Sequence, residues 1–271
     1  KIIIKALALS PNIKNHSMSI TFGSFDTPIG YETNFLTNNA NTFANQFIIN
    51  SLTYSALGGT VGTLNTLGIK IHNKYKYLDL TSSVSNGTSE TAYNEKSTFE
   101  RLTQLSLHSF IKGLRLTTTY FESNDQADTQ DSLQTNLTVQ LVEANYTLNK
   151  SFKLKLKTAK LTFDDNNSNT NDDIDTYEAE INYNKAAYLF GLRGSFWRPQ
   201  GSPISSDTPN PGLATSRNTN EAVDRIQISA GYYINTNTVF KLEYFTDFYA
   251  GGFGQKSDTY QGLISGINIK F

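Results

Sequence analysis

Cysteine is absent from this chain of 271 residues, tryptophan and methionine occur once each, histidine three times and proline six times. Without thiols there is no disulfide, which fits passage through an oxidising compartment where a stray thiol is a liability. His16, His72 and His108 are scattered and suggest no metal site. No run approaches the roughly 18 apolar residues of a helical membrane span. The longest candidate, Ile2 to Leu9, is broken by Lys5. A net charge of −1 gives no reason to expect nucleic acid. No nucleophile–base spacing, phosphate loop or paired carboxylates stand out, so the expectation is a non-enzyme without a cofactor. The residues from Lys1 do not read as a signal peptide, so a mature or trimmed chain is expected.

What the chain does contain is aromatic and alternating. Its 15 Tyr and 17 Phe sit in a composition that is only 38% hydrophobic. Few apolar residues with many aromatics suit a wall one residue thick, with a narrow lipid-facing band and a wet interior. Helical periodicity is nearly missing, and polarity instead alternates with period two over segments of about ten residues. Phe152, Leu154 and Leu156 alternate with Lys153, Lys155 and Lys157. Phe240, Leu242 and Tyr244 alternate with Lys241 and Glu243, and Tyr177, Ala179 and Ile181 oppose Glu178 and Glu180. The chain closes on Leu263, Ile267, Ile269 and Phe271 along one face of a final strand, the pattern with which outer-membrane β-barrels end. A soluble sandwich also alternates, so the connections must separate the two readings.

They do so by their lengths. Asn73-Lys74, Ile111-Lys112-Gly113, Asn149-Lys150-Ser151, Asn184-Lys185 and Asn235-Thr236-Asn237 read as tight turns. Between them lie longer polar stretches at 87–98, 122–133, 164–173, 198–223 and 248–259. Short turns at one end and long loops at the other form the asymmetry of a bacterial outer-membrane barrel. A sandwich has no reason to sort its loops this way. The expectation is a single all-β domain over 1–271, a transmembrane antiparallel β-barrel with about 13 strands visible. An odd count leaves the first and last strands running the same way. A strand or strands are therefore expected to be missing before Lys1, giving about 14 or 16 strands and an aqueous lumen in the complete barrel.

After the second expected strand comes Gly23-Ser24-Phe25-Asp26-Thr27-Pro28-Ile29-Gly30-Tyr31-Glu32. Physically this ends a strand, since Pro28 cannot donate to a ladder and Asp26 can cap a turn. It also resembles the G-x-F-D-T-P-x-G signature of the β-barrel porin-2 family of Gram-negative outer membranes. The motif carries most of that resemblance, and the hairpins running to a terminal Phe extend it loosely over the chain. The resemblance implies strands preceding the motif, a bacterial outer-membrane location, a porin function and recognition of Phe271 by the barrel-assembly machinery.

Candidate functional residues follow from the alternation. The pore-lining candidates are Lys70, Arg115, Lys153, Lys155, Lys157, Glu178, Glu180, Arg193, Arg225, Lys241 and Glu243. They lean basic, and Glu178 and Glu180 are expected to pair across strands with the three lysines. They read either as solvation of the inner wall or as a mild anion preference. The segment from Asp26 to Asn65 has only Asp26 and Glu32 as charged residues. A connection of that length is uncommon unless functional. It reads as an inward constriction with Asp26, Glu32, Asn34, Asn38 and Phe43, or as an extra hairpin around Gln46 to Ala56. The run from Asp164 to Asp173 lacks the spacing of a calcium loop and reads as a solvated external loop, or as a loose Ca²⁺ or lipopolysaccharide-bridging site.

The functional expectation is a passive diffusion channel for small hydrophilic solutes. The rival is a plugged barrel serving as a scaffold or surface receptor, since fold does not settle function. Expected partners are outer-membrane lipid and lipopolysaccharide, the assembly machinery, solutes, and other copies or a larger outer-membrane complex.

Overall fold

In the computed structural model the described residues are 7–9, 12–13, 16–26, 65–85, 99–108, 111–124, 135–165, 170–200, 222–250 and 259–269. They form strands only: β1 (Leu7–Leu9), β2 (Asn12–Ile13), β3 (His16–Asp26), β4 (Asn65–Tyr75), β5 (Leu78–Ser85), β6 (Phe99–His108) and β7 (Leu114–Asn124). The series continues with β8 (Thr135–Thr147), β9 (Phe152–Asp165), β10 (Thr170–Lys185), β11 (Tyr188–Gln200), β12 (Ala222–Asn235), β13 (Thr238–Ala250) and β14 (Thr259–Ile269). All belong to one sheet in which β3 to β14 pair in sequence order, with β1 and β2 both on the free side of β3. Every described pairing is antiparallel. Among the described residues nothing pairs β14 with β1, so the sheet is open there. Against an expectation of about 13 strands, the described residues hold twelve consecutive strands, β3 to β14, preceded by the short β1 and β2.

The short connections fall at one end. Asn149 Oδ1 accepts from the backbone N–H groups of Ser151 and Phe152 at 2.8 and 2.9 Å, holding the β8–β9 turn. Asn235 Oδ1 does the same for Asn237 N–H at 2.8 Å in the β12–β13 turn. Gly113, at φ 86°, turns β6 into β7. A Cβ there would stand 2.3 Å from Thr147 O. Two expected turns are displaced. Asn184-Lys185 and Asn73-Lys74 lie within β10 and β4, and the chain reverses at Ala186-Ala187 and Lys76-Tyr77. Ladder pairs such as Lys185↔Tyr188 and Lys74↔Asp79 carry the strands past the Asn residues. Ala186 adopts a left-handed φ of 53° in the β10–β11 turn.

At the opposite end the strands run on further than their polarity suggests. The run Asp164–Asp173 is mostly ladder: Asn171 faces Asp164 and Thr170 faces Asp165. This corrects the expectation of a ten-residue loop; backbone pairing outweighs the weak strand preference of Asn and Asp when neighbouring strands supply partners on both sides. The expected constriction segment, with Glu32, Asn34, Asn38 and Phe43, lies outside the described residues, as do the side chain of Asp26 and all of Phe271.

One face of the sheet is apolar and exposed, with Ile181, Leu192, Ile228, Leu242, Leu263 and Ile267 among its members. At the short-turn end aromatic side chains are neighbours along it, in tilted or stacked pairs: Phe152 and Tyr183 have ring centroids 4.7 Å apart, Tyr183 and Phe190 6.5 Å, and Tyr188 and Tyr232 5.4 Å. Aliphatic residues flanked by an aromatic girdle are the surface that a bilayer selects.

Candidate functional site: the inner wall

The other face is polar, and antiparallel register lines its side chains into rows across the strands. Opposite residues of a ladder share a face, with Cβ atoms about 4.5–5.5 Å apart. One row runs Asp79, Ser106, Thr117, Glu143, Lys157, Glu178, Ser195, Arg225 and Asp247. The next runs His108, Arg115, Asn145, Lys155, Glu180, Arg193 and Gln227. Charges of opposite sign therefore meet both along a row and between rows.

The contacts are specific. Glu180 accepts from Arg193 Nη2 and Nε at 2.6 and 2.9 Å and is bridged by Lys155 Nζ at 2.9 Å. Asn182 donates to the same carboxylate. Arg225 grips Asp247 with Nε to Oδ1 at 2.6 Å and Nη2 to Oδ2 at 2.8 Å. Its guanidinium carbon lies 4.9 Å above the Phe245 ring. Phe245 in turn covers Gly262, where a Cβ would fall 2.4 Å from the ring. Gln227 Nε2 donates to Glu243 at 2.9 Å, and Lys157 reaches Glu143 at 3.7 Å. Asp79 holds His108 Nε2 at 2.9 Å and Arg115 Nη2 at 3.4 Å. Ser and Thr hydroxyls fill the remainder: Ser106 and Thr117 oxygens lie 2.9 Å apart, and Gln104 donates to Thr119 at 3.2 Å.

All the expected wall residues stand on this face. Lys155 pairs with Glu180 as anticipated, and Lys157 faces Glu178 in register and also reaches Glu143 on its other side. Lys153 faces Asn182 and is exposed at the short-turn end. Lys70 lies 4.9 Å over the Phe25 ring, which places the first part of the GxFDTP motif on the wall. Sequence reading had left out Glu100, Glu143 and Asp247, which are buried on this face and offset most of its basic lean. Their signal was present in the alternation, since Glu143 and Asp247 continue the polar phase of their strands. Among the described residues no group of His, Cys, Asp or Glu could hold a metal ion.

An apolar outer face, a ladder of ion pairs on the inner face and turns sorted by length together define an outer-membrane β-barrel fold. Solved structures agree. The chain is similar to outer-membrane OmpT of Vibrio cholerae (TM-score 0.60, 11% identity, covering 91% of this chain and 72% of that one). It is similar to the anion-selective porin from Comamonas acidovorans (TM-score 0.62, 10% identity, 95% and 77%). It is also similar to the outer membrane channel DcaP of Acinetobacter baumannii (TM-score 0.56, 14% identity, 97% and 83%). OmpT is also known in a trimer form, to which the likeness is 0.59 in TM-score at 12% identity over 96% of this chain and 79% of that one. At these identities the likeness is one of fold. No protein-family model matches the chain, and no curated protein matches it in sequence.

Proposed function

We propose that the chain is a porin of the bacterial outer membrane, of the porin-2 type its GxFDTP motif resembles, passing small hydrophilic solutes by passive diffusion. The observation that carries this reading is the cross-strand belt of ion pairs from Asp79 to Asp247, set on the face opposite an exposed apolar band. Such a belt does not belong against lipid, and it does belong on the inner face of a barrel. Selectivity is expected to be weak, because acidic partners neutralise most of the basic side chains, with Lys153 supplying a modest bias toward anions at the short-turn end. No cofactor and no catalysis belong to this reading. The trimer form of OmpT supports other copies of this chain as partners.

A second reading has its own observation. Gln227 and Asp247 are 0% exposed and Glu243 1%, although they line the inner wall. A wall so thoroughly covered is what a plugged barrel, acting as a scaffold or receptor, requires. Single-channel conductance in planar bilayers separates the two.

A further inference from the structure

The polarity of six strands reverses before they end. Along β9 the outward residues are Leu154 and Leu156 opposite inward Lys155 and Lys157; beyond Lys157 the outward residues become Thr158 and Lys160, and the inward ones Ala159 and Leu161. Ala159 and Leu161 are buried, whereas Lys160 is exposed. β8 behaves alike: Glu143 inside and Val142 outside give way to buried Leu141 and Val139 inside and exposed Gln140 outside. On β10 Ile174 is buried inside, while Asp173 and Asp175 stand on the outward face. The same exchange closes β7 at Phe121 and Glu122 and β11 at Trp197 and Arg198; it begins on β6 at Leu102 and Arg101, where Glu100, one step further, is buried inside and accepts from Ser85 Oγ at 3.0 Å.

The reversed outward face is laced by its own ion pairs. Lys160 meets Asp173 at 2.6 Å, Arg198 meets Asp224, and Gln200 donates to Asp175. Immediately toward the turns lie exposed Tyr120, Tyr177 and Phe196. Lipid-facing strands cannot carry this pattern: a Lys at hydrocarbon depth is costly, and an apolar inner layer gains nothing from facing a wet lumen. A sheet in water with one buried face carries it by default. From Tyr188 to Phe196 the outward face of β11 spans eight residues, about 26 Å of strand. A tilt of roughly 35–45° foreshortens that to about 19–22 Å, near the roughly 25 Å apolar band of an outer-membrane barrel.

We propose that the ends of β6 to β11 at the long-connection side rise out of the hydrocarbon as an extramembrane wall. Its outer face contacts the hydrated, charged headgroup layer of the outer leaflet, and its inner face is a packed, mostly apolar core shielded from water. The inference rests on the membrane-barrel reading, and its test separates the two.

The absence of native Cys permits single-thiol variants. Gln140→Cys and Lys160→Cys mark the proposed wall, and Leu156→Cys and Ile181→Cys mark the band. Each is folded into lipid nanodiscs and treated with a charged, membrane-impermeant maleimide. Only thiolate reacts, and thiols in hydrocarbon stay protonated, so the wall positions should label at least about tenfold faster than the band positions. On the unsubstituted protein, a charged acylating reagent followed by mass spectrometry should modify Lys160 itself. Slow labelling at all four positions, with Lys160 unmodified, would put the wall in lipid and overturn the inference alone. Fast labelling at all four would overturn the membrane reading with it.

Discussion

Arg225 and Asp247 face each other across β12 and β13, and the guanidinium fork closes on the carboxylate through two near-parallel hydrogen bonds of 2.6 and 2.8 Å. Asp247 is 0% exposed, so the pair has no water to fall back on. Removing one partner should therefore hurt more than removing both. Arg225→Ala is expected to destabilise the folded barrel by about 3–5 kcal/mol, and adding Asp247→Leu should recover a substantial part of that. Denaturant unfolding in micelles, read as a double-mutant cycle, checks this. Additive losses, with the double variant costing the sum of Arg225→Ala and Asp247→Leu alone, would mean that the pair is not coupled.

The two faces should respond oppositely to charge. Leu242→Lys, on the exposed apolar face, should cost about 2–4 kcal/mol if the position lies near the bilayer midplane. Lys153→Asp, at an exposed position on the polar inner face and opposite Asn182, should fold at the wild-type level. Lys155 would be a poor control, because an acid there would confront Glu180 at the distance its ammonium now bridges. The yield of heat-modifiable, folded protein reports both effects, and comparable tolerance at the two positions would reverse the assignment of faces.

Gly262 is shaped by its neighbour. A Cβ there would meet the Phe245 ring at 2.4 Å, and the Arg225 guanidinium lies 4.9 Å from the centre of the same ring. Gly262→Ala should cost about 1–3 kcal/mol through overpacking. Pairing it with Phe245→Leu should relieve much of that loss. If Gly262→Ala is neutral by denaturant unfolding, the ring does not lie over the glycine.

Adjacent residues on β11 offer an optical version of the same question. Trp197, the single Trp, is buried at 1% exposure on the inner face, while Phe196 is exposed on the outer one. The native fluorescence should be blue-shifted and insensitive to aqueous quenchers and to brominated acyl chains alike. In a Trp197→Phe background, Phe196→Trp should be quenched by brominated lipid. Strong aqueous quenching of native Trp197 would show that the core proposed at this end of the sheet is wet.

Much of this was legible in the chain. Lys153-Leu154-Lys155-Leu156-Lys157 fixes both the period and the faces of β9, because a one-residue slip would turn every lysine toward lipid. The sorting of short turns from long connections identified the fold class for a similar reason: it reflects the topology of the whole chain. Turn positions were less legible. Asn184 and Asn73 have turn chemistry, but pairing with the neighbouring strand decides where a ladder stops. The ends of the strands were least legible. Asp164 to Asp173 has the composition of a loop, and only its neighbours on β8 and β11 reveal it as ladder. Partners were also partly hidden, since Lys157 has Glu143 on one side and Glu178 on the other, and only the three-dimensional register shows that it reaches Glu143.

The most direct test of the channel reading is single-channel recording of the purified, folded protein in planar bilayers. Stepwise conductance is predicted, with weak ion selectivity. Glu180→Gln should shift selectivity toward anions by weakening the hold on Lys155 and Arg193. That shift should shrink as ionic strength rises, because salt screens such charges within about 8–10 Å. Folded, inserted protein that shows no conductance at any voltage would contradict the channel reading and leave a plugged barrel in its place.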